Sequence, residues 1–234
     1  MSLIGLEWGT QGITACPADV YVIVDVLSFS TCVDIALGRG ATVLPFRFKD
    51  ERAAAFAREQ QAWLAVDRGA AGFSLSPVSL LELPAATRLV LPSPNGATLS
   101  LLTGSAPTVC ACLRNAAAVA EWIKRANFGR IQLVPAGERW PEGSLRPALE
   151  DWLGAGAVLA HFDVSDHAFG PEAEVARAAY LAQEGDLAQL IRACPSGQEL
   201  IQRGFAQDVE LALQPNVSSG VPVFAAGTYR LANS

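Results

Sequence analysis

Apolar positions along the chain follow two periods. Residues 21–27 (YVIVDVL) are apolar almost throughout at strand length, as expected of a strand covered on both faces. Residues 41–46, 88–91, 108–113, 131–135 and 221–224 read the same way, and 63–66 is a shorter strand-like run. Between them lie Ala-rich windows of helical period over 50–64, 115–126, 148–162 and 172–192. Asp50 and Asn115 are placed to cap the first two, and the second should stop near Gly129. Ser196 and Glu199 have the spacing of a capping box at the start of a helix over 196–204. This alternation predicts an α/β fold, with one or two largely parallel or mixed sheets sandwiched between helices. Residues 1–234 read as one domain. The loop-like stretch 138–147 (ERWPEGSLRP) is the place for a boundary if there are two α/β lobes.

Composition narrows the class. With 51% hydrophobic and 17% charged residues the chain can bury a large core, which excludes disorder, collagen and a disulfide scaffold. Seventeen basic against twenty-three acidic residues give a net charge of -6, which repels nucleic acid and anionic membrane surfaces. The five cysteines are an odd number without a CxxC pair, so free buried thiols in a reducing cytosol are expected. The first ten residues lack the basic and apolar regions of a signal peptide. The uncharged stretch 89–113 is long enough to span a membrane, but Pro92, Pro94, Asn95, Gly96, Gly104 and Pro107 should break it into strand, turn and strand. A cytoplasmic protein is expected.

Several polar residues stand out. Asp25 lies inside an apolar strand, where a carboxylate is costly unless it is paired or binds a cation; capping the next helix with Ser28, Ser30 and Thr31 is the alternative. Glu150 and Asp151 open a helix whose small residues Gly154 to Ala157 permit close packing; they either favour the helix dipole or present carboxylates to Mg²⁺ and water. Asn95-Gly96 after a strand predicts a tight turn with positive φ whose N–H groups suit phosphate oxygens, or a plain turn. Asp67-Arg68-Gly69 places an acid and a base at another strand end. His161, Asp163, Asp166 and His167 have metal-ligand chemistry, but their spacing matches no HExxH-type motif, and a polar turn after a helix explains them better, with Asp166 left to act singly. There is no GxGxxG after a strand, no GxxxxGK[ST] and no GxSxG, which disfavours nucleotide binding by those motifs and serine hydrolysis.

In this order the fragments resemble the 2-phosphosulfolactate phosphatase (ComB-like) family. They are Val24-Asp25-Val26-Leu27, Asp67-Arg68-Gly69, Gly72-Phe73 with Ser76-Pro77, Asn95-Gly96 and Ala136-Gly137. They continue with Glu150-Asp151 and Ala155-Gly156, then Ser165-Asp166, then Ser196-Gly197 with Leu200, Gly204 and Asp208-Val209, and finally Val221-Pro222. The resemblance implies a ComB-like α/β domain and a Mg²⁺-dependent phosphatase, acting on 2-phospho-3-sulfolactate or a close analogue to leave 3-sulfolactate on the route to coenzyme M. On that basis Asp25, Asp67 and Asp151 are expected to hold the metal. Glu150 and Asp151 are expected to be catalytic, with Glu150 as a base or a partner of the metal ligands. Asn95, Gly96, Arg68 and Ser28 should bind phosphate and substrate, with Asp166 and Asp208 as further acids. The chain departs from the family's pattern at four places. Ser28 stands for an Arg, Val66-Asp67 for Gly-Glu, GFSLSP lacks the Gly-Asn before Ser-Pro, and Pro94-Asn95-Gly96-Ala97 has lost both Thr hydroxyls. Loss of the Arg at 28 removes a cation suited to phosphate or sulfonate. A phosphatase for another small phosphorylated acid and a non-catalytic small-anion-binding homologue are the alternatives. A homodimer would be unsurprising, since symmetric pairs are common among enzymes of this size.

Overall fold

The computed structural model describes residues 1–183 and 185–232 and gathers ten strands into one mixed sheet. Its first block is parallel: β10 (His167–Phe169), β1 (Ser2–Leu6), β7 (Arg130–Pro135), β2 (Val20–Val24) and β6 (Thr108–Ala111), in that spatial order. The antiparallel hairpin of β11 (Pro222–Ala225) and β12 (Thr228–Leu231) joins it to a second parallel block, β3 (Thr42–Phe46), β5 (Arg88–Pro92) and β4 (Trp63–Leu64). The α/β layers match the expectation. Counting the antiparallel steps, the second block runs opposite to the first.

The unbroken apolar run of β2 follows from cover on both faces. Val20, Val22 and Val24 pack with α5 (Ala116–Ala126), α6 (Leu149–Leu159) and α7 (Pro171–Ala182), while Tyr21 and Ile23 pack with α1 (Gln11–Thr14) and α4 (Gly96–Leu102). All five are buried, and each contributes roughly 2 kcal/mol by leaving water. In the second block Val43 packs with α2 (Phe29–Gly38) and Leu44 with α3 (Glu51–Glu59). Small residues let α6 approach its neighbours. A Cβ on Gly154 would lie 2.6 Å from Val26 Cγ2, and one on Gly156 would lie 2.3 Å from the Ala176 carbonyl.

Several local expectations are corrected. The stretch 89–113 is strand, helix and strand: 96–102 is α4, and neither Asn95 (φ -99) nor Gly96 has positive φ. Glycine is needed at 96 for space, since a Cβ there would sit 2.4 Å from Phe29 Cδ1 and 2.8 Å from Asp25 Oδ2. Asp50 does cap α3, accepting from Arg52 N (3.0 Å). The Asn115 side chain instead accepts from Cys112 N (2.9 Å), while α5 ends at Ala126, near Gly129 as expected, with Asn127 in the left-handed region. The helix expected over 172–192 is divided into α7 and α8 (Leu187–Ala193), and Glu184 between them lies outside the described residues. Ser196 and Glu199 do not form a capping box. Cys194 precedes α9 (Pro195–Gln202) and accepts from Gly197 N, while Glu199 pairs with Arg203 on the surface. Residues 138–147 form the hairpin of β8 (Glu138–Arg139) and β9 (Leu145–Arg146), between β7 and α6. All five cysteines are free. No helix among the described residues is long and apolar enough to cross a membrane.

Candidate active site

Asp25 follows the last residue of β2, at the carboxyl edge where open α/β sheets place their ligands. Its backbone and Ser30 close a tight turn, with Asp25 N donating to Ser30 Oγ (2.9 Å) and Ser30 N to Asp25 O (2.8 Å). The side chain ties two helix starts together, Oδ1 accepting from Phe29 N (3.1 Å) and Oδ2 from Gly96 N (2.8 Å). Asp151, in the first turn of α6, does the same between strand ends: Oδ1 accepts from Val26 N (2.7 Å) and Oδ2 from Gly137 N (2.9 Å). Asp25 therefore ties the β2 end to the starts of α2 and α4, and Asp151 ties the start of α6 to the ends of β2 and β7. The Gly96 amide, expected to be open to phosphate, is bonded to Asp25.

Glu150 is buried beside Asp151, and Cys194 Sγ at the start of α9 donates to its Oε2 (3.2 Å). A fourth carboxyl joins from the β8–β9 hairpin. Glu138 accepts from Asn95 Nδ2 at Oε2 (3.0 Å) and borders a cavity of about 220 Å³ with Asn95, Thr98, Trp8 and Arg139. Burial raises Asp25 from 3.8 to about 6, and the charge of Glu150 adds to it against the pull of the two N–H donors and Arg68. Burial, then the charge of Asp25, lifts Glu138 from 4.5 to about 7. Asp151 is held well above the carboxylate range by burial and by Asp25 and Glu150. Burial and Glu150 likewise push the Cys194 thiol up to about 12. These four acids form one repelling cluster.

Two guanidiniums flank it. Arg68, from the loop after β4, donates to Ser28 Oγ (3.1 Å) and the Leu75 carbonyl, and pairs with buried Asp208 in α10 (Ala206–Ala212). Asp208 also accepts from Ser76 Oγ (2.6 Å) and Val78 N (3.1 Å). The guanidinium of Arg68 thus stands on the residue where the family pattern carries an Arg. Arg146, from the β8–β9 hairpin, donates to Ser196 Oγ (3.3 Å), lies 5.7 Å from the Trp140 ring and bears electrostatically on Glu138. No carboxylate among the described residues comes within salt-bridge reach of it.

Of the residues singled out from sequence, the structure gathers Asp25, Glu150, Asp151, Asn95, Gly96, Ser28, Arg68 and Asp208. It does not bring in Asp67, which is exposed and borders a separate cleft of about 350 Å³ with Lys49, Asp50 and Leu75. Nor does it bring in Asp166, on the exposed turn before β10; since β10 and β2 run in the same direction, Asp166 lies at the opposite sheet edge. No three His, Cys, Asp or Glu side chains among the described residues are arranged as a ready metal cage. Glu138 and Arg146 were not picked out, because they sit in the polar segment read as a boundary. Their signal was an acid directly after a strand end and Ala136-Gly137.

Residues 11–227 match the family described as 2-phosphosulpholactate phosphatase. The chain is 32% identical, over 87% of its length and 85% of the relative's, to a protein of Synechococcus sp. named a probable 2-phosphosulfolactate phosphatase. It is 30% identical, over 90% of its length and 88% of the relative's, to the 2-phosphosulfolactate phosphatase of Methanothermobacter thermautotrophicus.

Proposed function

The chain belongs to the 2-phosphosulpholactate phosphatase family, and from that premise we propose that it hydrolyses 2-phospho-3-sulfolactate, or a close analogue, to 3-sulfolactate and phosphate with Mg²⁺ as cofactor. The observation that supports this most is the burial of Asp25, Glu150 and Asp151 together at the strand ends, with the Arg68 guanidinium acting on Asp25 and that of Arg146 on the neighbouring Glu138. A monoester dianion repels an approaching nucleophile, so positioning and charge neutralisation are the protein's main tasks.

The donor set fits Mg²⁺ in a restricted way. The acids are hard oxygen donors in mutual repulsion, which favours a cation, yet no three converge as a cage. Mg²⁺ is commonly held by one or two carboxylates plus water and substrate oxygens, and Asp25 with Glu150 or Asp151 supplies that number. When bound, it would neutralise the phosphoryl oxygens. Arg68 and Arg146 would orient the substrate's anionic groups, and Glu150 would accept the proton of the attacking water.

One observation favours a second substrate. Arg68 is committed to Asp208, Ser28 and Leu75, which leaves less positive charge for a sulfonate than a free Arg at 28 would offer. A phosphorylated acid without the sulfonate suits that arrangement. Phosphate release by the purified protein from 2-phosphosulfolactate, 2-phospholactate and phosphoglycolate, in Mg²⁺ and in EDTA, tests both readings. Release in Mg²⁺ alone is expected, and the preferred ester selects the substrate. Equal release in EDTA would contradict the cofactor, and phosphate binding without turnover of any ester would contradict the activity.

A further inference from the structure

We propose that Glu138 is the proton donor to the leaving-group oxygen, an assignment that rests on the phosphatase reading above. Three geometric facts support it. The side chain sits on the β8–β9 hairpin that follows the β7 strand end, near enough to Asp25 and Glu150 for their charges to act on it. One of its oxygens is fixed by Asn95 Nδ2 at 3.0 Å, which sets the direction of the carboxyl. Its residue borders the cavity of about 220 Å³ lined by Trp8, Asn95, Thr98, Leu99 and Arg139, a space with room for the organic part of a small ester.

The surroundings hold its proton. Burial is the largest cause, Asp25 at the end of β2 and Glu150 in α6 add to it as like charges, the Asn95 amide and Arg146 in β9 oppose them, and the balance leaves Glu138 raised to about 7. A carboxylic acid poised near neutral pH is suited to general acid catalysis. Glu150 and Asp151 are less suited: Asp151 is bonded by two backbone amides, and Glu150 receives the Cys194 thiol.

The step balances as follows. Water adds to phosphorus while the bond from phosphorus to the ester oxygen breaks, and that bond's electron pair goes to the oxygen. The Glu138 proton moves to the same oxygen, releasing a neutral alcohol. The proton shed by the water passes to Glu150, and Glu138 is reprotonated from solvent.

The test compares wild type, Glu138→Gln and Glu138→Ala in Mg²⁺ on two esters, 2-phosphosulfolactate and 2,4-dinitrophenyl phosphate. The phenol leaves without a proton and the alkyl alcohol does not. Gln keeps an oxygen for Asn95, and thermal unfolding checks that both variants fold. The proposal expects kcat on the alkyl ester to fall at least about a hundredfold in Glu138→Gln, with a loss under about fivefold on the aryl ester. A similar loss on both esters, or an alkyl loss under about tenfold, would overturn it while leaving the phosphatase reading intact. If the wild type takes only the alkyl ester, added imidazolium should restore turnover to Glu138→Ala, and no restoration overturns the assignment. Should the wild type hydrolyse neither ester, the underlying reading fails and the assignment falls with it.

Discussion

Replacing Gly96 by alanine probes the joint between Asp25 and two helices. The added Cβ would lie 2.4 Å from Phe29 Cδ1 and 2.8 Å from Asp25 Oδ2, closer than real contacts allow. Phe29 cannot swing aside, because it is fully buried with its ring edge-on to Tyr229 at 6.1 Å. The start of α4 must therefore shift, which lengthens the 2.8 Å bond from Gly96 N to Asp25. Overpacking of this kind costs about 1–3 kcal/mol. Weakening a hydrogen bond to a buried carboxyl adds about 1–3 kcal/mol. The sum, roughly 2–6 kcal/mol, corresponds in a chain of this length to a Tm lowered by roughly 4–24 °C. Phosphate release should fall with it, since Asp25 loses its orientation. Gly38→Ala is the control: nothing lies within 4 Å of that Cβ, and alanine there should be neutral or slightly stabilising. Calorimetry and phosphate release on both variants provide the readout. A Gly96→Ala protein as stable and active as the Gly38→Ala control would refute the view that close approach at residue 96 fixes Asp25.

Ser28→Arg should destabilise the protein by about 3 kcal/mol, because Ser28 is buried and the Arg68 guanidinium already lies 3.1 Å from its hydroxyl. Adding Arg68→Ser should recover much of that loss in urea unfolding, whereas a single variant as stable as wild type would contradict this geometry. Asp25 and Glu138 bind protons more tightly in the folded than in the unfolded state, rising from 3.8 to about 6 and from 4.5 to about 7. Their contribution to stability is thus fully present below pH about 4 and is lost as pH rises through 6 and 7, on the order of 3 kcal/mol for Asp25 alone. In EDTA the urea midpoint should be lower at pH 8 than at pH 5.5, and Mg²⁺ should restore it at pH 8; a midpoint that climbs steadily to pH 8 in EDTA would refute the repulsion.

The sequence made some features legible because burial leaves a one-dimensional trace. A strand covered on both faces must be apolar throughout, so β2, β6 and β7 were readable, and an acid at the end of such a run marked Asp25. Glu150 and Asp151 were readable for the same reason, at the head of an otherwise apolar helix. What depends on distant partners was not readable. Asn95-Gly96 looks like a hairpin turn until Phe29 and Asp25 are seen pressing on Gly96. Ser196 and Glu199 have capping spacing, but Cys194 takes the cap and Glu199 turns to Arg203. Asp67 and Asp166 resemble Asp25 in type and motif, and only the fold shows both exposed, one beside Lys49 and the other at the far sheet edge. Glu138 was hidden by its polar neighbours, because a hairpin over a site has the composition of a linker.

The central claim is that a divalent cation and a phosphate group meet among Asp25, Glu150 and Asp151 at the β2 strand end. Diffraction from crystals grown with Mn²⁺ and phosphate, using the anomalous signal of the metal, tests it most directly. The account predicts one strong metal peak against Asp25 and Glu150 or Asp151, with phosphate between that peak and the Arg68 or Arg146 guanidinium. Metal and phosphate bound instead in the cleft beside Lys49 and Asp67, with the buried acids untouched, would contradict it.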